Sequence, residues 1–410
     1  MKKILFLTYG ALPFPSVEGG AVETLLEKFC RENEKKPKYN ITVISKQHVL
    51  AKELSKQFLF TKVIYTEIDK KNKATIFAKR GLRKVTKYIT NKTTTPIFYP
   101  EIISVAKHEL KNNNYDIVIS LNAVEQIIPI RKIFSGEIYL YLHNDYLNVS
   151  TAQAKTIANS CSKIITVCDA LVAEILAIKG LKKELLIYTA KNGIDIEEFN
   201  QKKSKKREIS NHIRQELNIP LKDKVIIFSG RLTRTKGVHY LIEAVKQLPS
   251  LENVSLLIIG GIDYSSNKKN TYLKYLKSLS KSINSKVFFS GYIPSEKVSD
   301  YLFAADIAVV PSDFFETCCL SMLEAQAAGL PTIVSDVGGI KEYTNTSSSI
   351  LLKMDKAFVA NLTKSIMFLL NNEEECKKMS EEGQKNVRNY TKEFYFEQLS
   401  RSIEYNGERL

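Results

Sequence analysis

At 410 residues, with 44% hydrophobic and 25% charged residues, the chain has the composition of a soluble globular protein and room for two ordinary domains. A formal net charge of +16 and a pI near 9.3 call for an anionic partner, whether nucleic acid, an acidic membrane face or a phosphorylated substrate. No run of ~18 apolar residues exists to span a membrane, and the six cysteines show neither a CxxC pair nor metal-ligand spacing, which fits a reduced cytosol.

Met1 to Leu7 has the outline of a signal peptide, but the apolar run breaks at Thr8-Tyr9-Gly10 and no small-x-small cleavage site follows. Ile4 to Tyr9 is therefore expected as a buried first strand. A loop from Gly10 to Gly20, with Pro13, Pro15 and the pair Gly19-Gly20, leads into an amphipathic helix over Ala21 to Asn33. Glycines at a helix N-terminus after a first strand let the backbone approach a phosphate, although glycine loops are also ordinary connectors. Ile41 to Ile44 is the next strand, so a βαβ pattern begins at once. Residues 62–92 hold ten Lys or Arg, with Ile76, Phe77, Leu82, Val85, Tyr88 and Ile89 interleaved at roughly helical spacing. This stripe reads either as a solvated helix face or as a patch for a membrane surface or anionic acceptor.

Asp116 to Leu121 and Ile138 to Leu142 read as further strands, and the second runs straight into His143. A histidine directly after a buried strand points into the crevice beyond the strand ends, which makes His143 a candidate; a structural role is the alternative. Lys191 to Asp195 is a turn, and the basic run Lys202 to Arg207 is expected as a solvated linker. Val225 to Phe228 opens a second domain and ends in Ser229-Gly230-Arg231. Lys236-Gly237 follows, ahead of a helix from Val238 to Leu248. An Arg and a Lys at a strand exit can neutralise a diphosphate without metal.

Leu256 to Gly261 and Val287 to Tyr292 continue the alternation. Ile307 to Val310 is short, apolar and closed by Pro311-Ser312, as a buried parallel strand should be. A helical run from Leu320 to Ala328 then stops at Gly329 and Pro331, and Gly338-Gly339 closes the following strand. Glu316 falls in the loop before this helix and Glu324 in its first or second turn. Both border one crevice, with the amides of Cys318, Cys319 and Leu320 available to an anion. Carboxylates there accept hydrogen bonds from a sugar's hydroxyls, while amides suit a phosphate; a solvated surface pair is the plain alternative.

The stretch FFETCCLSMLEAQAAGLPTIVSDVGG resembles the nucleotide-binding segment of retaining glycosyltransferases of the GT-B class, family 4. That family's pattern runs Glu-x-x-Gly-Leu-x-x-x-Glu-Ala and then Gly-x-Pro; Cys319 stands where it usually has glycine. GRLTRTKG is similar to its Gly-Arg-Leu-x-x-x-Lys-Gly, and PSVEGGAVE to its glycine loop, in wording close to transferases of bacterial surface-polysaccharide and spore-coat type. The resemblance implies an α/β fold of two doubly wound Rossmann-like domains facing a central cleft. Residues 1–200 would be the acceptor side, 201–388 the nucleotide-sugar side, and 389–410 a helix returning to the first domain.

It also implies retaining transfer of a hexose from a nucleotide sugar, a UDP-hexose, to a surface-polysaccharide, cell-wall or lipid-linked acceptor. Glu316 would hold the sugar's hydroxyls, Glu324 the ribose, and Arg231 and Lys236 the leaving diphosphate. Gly19 and Gly20 would cap that diphosphate and His143 contact the donor sugar. Tyr292 and Ile293 would meet the base, and Cys319 and Leu320 the phosphates. No Asp-x-Asp pair is present, so transfer without a metal or other cofactor is expected, in the cytoplasm or peripherally on the inner face of the plasma membrane. The alternatives are a nucleotide-sugar epimerase on the same fold and a basic nucleic-acid-binding protein. Against the latter, the sequence shows no aromatic RNP motif, helix-turn-helix or zinc spacing.

Overall fold

A computed structural model describes residues 1–67, 78–79, 81, 99–249, 252–261, 271–281, 283 and 286–405. They fall into two compact units, Met1–Asn192 with Tyr395–Leu410, and Gly193–Phe394. Of the basic stripe, Arg80, Arg83, Lys84 and Lys87 and the apolar residues interleaved with them lie outside the described residues.

The first unit runs β1 (Lys2–Leu7), α1 (Ala21–Lys35), β2 (Tyr39–Lys46), α2 (Val49–Ser55), β3 (Thr61–Thr66), α3 (Pro100–Asn112) and β4 (Ile117–Leu121). It continues through α4 (Ile127–Arg131), β5 (Glu137–Leu142), α5 (Ala154–Ser160), β6 (Lys163–Thr166), α6 (Asp169–Leu176) and β7 (Leu186–Thr189). Among the described residues its seven strands pair in the order β3-β2-β1-β4-β5-β6-β7, all in parallel. Ile4 to Leu7 and Ile138 to Leu142 are buried residue after residue, with none of the alternation of a half-exposed strand. That is the signature of a parallel sheet covered on both faces. The strand order reverses between β1 and β4, so the loops after these two strands flank the switch point.

The second unit begins with α7 (Ile196–Lys202) and α8 (Lys206–Glu216), followed by β8 (Lys224–Ser229), α9 (Val238–Lys246), β9 (Val254–Ile259), α10 (Thr271–Lys281) and β10 (Lys286–Gly291). Then come α11 (Ser295–Phe303), β11 (Ile307–Val310), α12 (Leu320–Ala327), β12 (Thr332–Ser335), β13 (Ser349–Leu352), α13 (Phe358–Asn371) and α14 (Glu373–Asn386). Its parallel sheet has the order β10-β9-β8-β11-β12-β13, and here the reversal falls between β8 and β11. Successive side chains of β8 alternate between two cores. Ile226 and Phe228 pack with Val238, Leu241 and Phe358 on one face, and Val225 and Ile227 with Tyr301, Leu302 and Ala325 on the other.

Lys202 to Arg207 is not a linker. Lys202 ends α7, Lys203–Lys205 form a 3-10 turn, and Lys206 opens α8. Lys202 Nζ donates to Ser299 Oγ at 2.7 Å and Lys206 Nζ to the Ala328 carbonyl at 2.9 Å. Long cationic side chains can lie along a folded surface, so charge alone does not mark a hinge. The division between the units comes earlier, at Asn192–Gly193.

The last helix, α15 (Lys392–Glu404), belongs from Tyr395 onward to the first unit. The Phe396 ring sits 5.1 Å from that of Phe29, and Tyr39 Oη donates to Glu404 Oε1 at 2.9 Å. Lys163, only 1% exposed, donates to the carbonyls of Ser402 at 2.6 Å and Tyr405 at 2.8 Å, a cation on the negative end of the helix. No helix among the described residues is long and apolar enough to cross a membrane.

Candidate active site

In the second unit, the loops after β8 and β11 meet at the switch point. The Asp313 amide donates to the Thr235 carbonyl at 2.9 Å, tying one loop to the other. Gly237, at φ +69°, makes that approach feasible: a Cβ there would lie 1.7 Å from the Pro311 carbonyl oxygen. The junction brings Lys236 and Glu316 together, Nζ to Oε2 at 2.7 Å, with side chains 18% and 9% exposed. Buried Ser312 donates from Oγ to the same Oε2 at 3.0 Å. Among the described residues no hydrogen bond reaches Oε1. The Lys236 ammonium also lies 5.1 Å from the centroid of the Phe314 ring.

The backbone behind Glu316 is fixed by the next loop. The Gly339 amide donates to the Glu316 carbonyl at 2.7 Å, and Gly338 at φ +59° packs so closely that a Cβ would come within 2.2 Å of that oxygen. Cys319 is the N-cap of α12 and gives its first amides no side-chain acceptor. It is buried, which pushes its thiol pKa up and, with Glu316 nearby, keeps it protonated. Leu320 opens the helix and Glu324 lies in its second turn, half-buried. A carboxylate and helix-N-terminal amides thus share one strand-to-helix turn, and the Lys236 ammonium reaches that carboxylate from the loop after β8.

Arg231 leaves β8 just before Lys236 and is exposed, as is Arg234. Tyr292 and Ile293 follow β10, two strands away from β8 in the same sheet. Burial pushes the Tyr292 phenol up. At the strand ends between them, the Gly230 amide donates to the Ile259 carbonyl and the Gly260 amide to the Gly291 carbonyl, which aligns the exits of β8, β9 and β10.

Gly19, Gly20 and His143 lie in the first unit. Gly20 is the N-cap of α1 at φ +107°, and a Cβ on it would lie 2.6 Å from Glu23 Oε2. Glu23 itself is buried, and burial raises its carboxyl to about 7 against one opposing backbone hydrogen bond. His143 follows β5 with its backbone N–H on Asn122 Oδ1 at 3.1 Å and its ring 4.3 Å from that of Tyr141. Burial drives its imidazole down to about 3, so it is neutral at pH 7.

Sequence reasoning passed over Ser312 and Glu23. Ser312 carries only the faint signal of a hydroxyl directly after a strand-ending proline. Glu23 stands three residues after the N-cap, the spacing of a capping-box carboxylate.

Residues 209–386 match the family model of the glycosyl transferases group 1. That match lies within the second unit. The chain is 24% identical to YtcC of Bacillus subtilis (strain 168) over 391 residues, covering 94% of this chain and 87% of the relative. It is 25% identical to spore coat protein SA of the same organism over 346 residues, 83% and 82% of the two chains. Its fold is similar to the crystal structure of Anabaena Alr3699/HepE in complex with UDP and glucose, with a TM-score of 0.73 at 17% identity, over 98% of this chain and 99% of that one. The two parallel Rossmann-like sheets of this chain are those of the GT-B class.

Proposed function

We propose that this glycosyltransferase moves a hexose from a nucleotide sugar, a UDP-hexose, to a bacterial surface-polysaccharide, cell-wall or lipid-linked acceptor with retention of configuration. The observation that carries the reading is the Lys236–Glu316 pair at the switch point of the second sheet. Departure of a nucleoside diphosphate builds negative charge on the leaving oxygen. Lys236 and Arg231, with the amides of Cys319 and Leu320, offer fixed positive charge to it, and each strong contact of this kind lowers the barrier by roughly 3 kcal/mol. Glu316, held by Ser312 and Lys236 through one oxygen, keeps the other for a hydroxyl of the donor sugar.

In this reading Glu324 takes the ribose, and Tyr292 and Ile293 border the base. Gly19, Gly20 and His143 contribute on the strength of the resemblance, with His143 acting as a neutral hydrogen-bonding group. Similarity to a structure that holds UDP and glucose supports the choice of donor. No metal enters the proposal, because Lys and Arg supply the charge. Peripheral attachment to an anionic membrane through the stripe at 62–92 belongs to the same proposal.

The test is saturation-transfer NMR with a panel of nucleotide sugars, followed by the anomeric coupling of the product. A UDP-hexose that binds and yields a product of the donor's own anomer, with chelator present, supports the reading. An inverted product, or turnover only with Mn²⁺ or Mg²⁺, rules out the mechanism.

A further inference from the structure

The basic run from Lys202 to Arg207 has no part in donor binding, yet it forms the wall of a second recess. Lys203, Lys206 and Arg207 line an open groove of about 1120 Å3 within the second unit, and Lys377 of α14 lines it from another element. Its floor is made by the starting ends of strands: Lys224 opens β8, Ile307 opens β11, and Pro331 precedes β12. The donor-binding loops lie at the opposite ends of these same strands, so the two places are distinct.

The groove's charges do not cancel. Its two acids are already engaged: Asp306 holds Arg214 at 2.9 Å, and Glu373 lies 3.6 Å from Lys224. Arg214 is a strut, donating also to the carbonyls of Ala304 and Asp223. Lys203, Lys206, Arg207 and Lys377 remain in excess. Lys206 is half-buried over the Phe303 ring at 5.5 Å. Burial pulls its pKa down, Asp306 holds it up and Lys203 pushes it down. Four like charges around one recess repel each other, and low-dielectric walls focus their field into it. The apolar floor is closed to an acyl chain or hydrophobic helix, since Phe303, Ile307 and Leu330 are 4%, 1% and 2% exposed.

We infer that this groove binds a ligand carrying two or more phosphates, either a free oligophosphate or a phosphodiester-type polymer, at a site separate from that of the donor. Lysine and arginine both suit phosphate, the one as a compact charge and the other as a fork of donors. Nothing in this inference depends on which sugar the enzyme transfers.

Isothermal titration with inorganic tripolyphosphate and with poly(glycerol phosphate), a phosphodiester polymer, tests it on the full chain. Three proteins are compared: wild type, the triple variant Lys203→Gln, Arg207→Gln, Lys377→Gln, and Lys236→Ala. The three substituted side chains are exposed, so the fold should persist; if the triple variant fails to fold, Lys377→Gln alone carries the comparison. The expected result is wild-type binding that weakens at least about tenfold between roughly 50 and 300 mM salt. The triple variant should lose about tenfold or more in affinity at this second site, whose isotherm should persist in Lys236→Ala while any binding at the donor loops weakens. Tripolyphosphate bound as well as the polymer identifies a free oligophosphate as the ligand, and a strong preference for the polymer identifies the other source. Three results would each overturn the inference: no binding of either probe, binding lost in Lys236→Ala but kept in the triple variant, or binding to phosphatidylglycerol vesicles with none to the soluble probes.

Discussion

Lys236 and Glu316 hold each other at 2.7 Å, although the donor reading gives one the diphosphate and the other the sugar. The pair therefore orients both groups, and its disruption should fall mainly on turnover. Glu316→Gln keeps the shape and loses the charge. Steady-state kinetics should show kcat down at least about tenfold, while Arg234→Ala, at an exposed position, changes it less than about twofold. Wild-type kcat in Glu316→Gln would remove Glu316 from the site. These two residues were legible in the sequence because motif and strand-to-helix context coincide. Ser312 and Glu23 were not, since their roles arise from burial and, for Ser312, from a loop that folds its hydroxyl back onto Glu316 four residues on.

His143 and Glu23 also make opposite contributions to stability. The histidine's folded pKa of about 3 lies below its ordinary 6.5, so the unfolded chain binds the extra proton and stability falls as pH drops through that window. The Glu23 carboxyl, raised from 4.5 to about 7, binds its proton more tightly when folded, so stability falls as pH rises. Between about pH 4.5 and 6.5 the two slopes oppose each other, each at most about 1.4 kcal/mol per pH unit. Relative to wild type, urea unfolding of Glu23→Gln should lose stability more steeply on acidification, and His143→Gln should shift the slope the other way. Parallel pH profiles for all three proteins would contradict both burial assignments.

At the scale of elements, the strands were readable because parallel strands covered on both faces give short unbroken apolar runs, as at Ile307 to Val310. Lys202 to Arg207 misled because its charge density matches a linker, whereas its side chains bond to Ser299 and Ala328 across a folded surface. Two tight contacts can be tested. Lys163→Met leaves the carbonyls at the end of α15 without their donor, which should cost about 2–4 kcal/mol in denaturant unfolding and speed proteolysis near the C-terminus. Gly237→Ala forces a Cβ against the Pro311 carbonyl from a left-handed backbone and should cost more than about 2 kcal/mol, with donor affinity lost in parallel. Unchanged midpoints in either variant would show that the contact does not hold its element in place.

For the whole molecule, the net charge of +16 calls for an anionic partner without saying where it would dock. A composition sums over surfaces, and only the fold shows that part of the charge gathers at the starting ends of the second sheet, away from the donor-binding loops. The two Rossmann-like sheets were legible from three short motifs, because those motifs sit where chain topology forces ligands to bind. Donor and acceptor were not, since sugars and bases are selected by side chains outside the motifs. In the proposed reaction the Lys236–Glu316 junction stabilises a departing nucleoside diphosphate. The most direct measurement is the rate of diphosphate release from a saturating UDP-hexose by wild type and by Lys236→Ala. The wild type should release diphosphate and the variant should be slower by roughly a hundredfold; equal rates in the two proteins would remove Lys236 from the departure step.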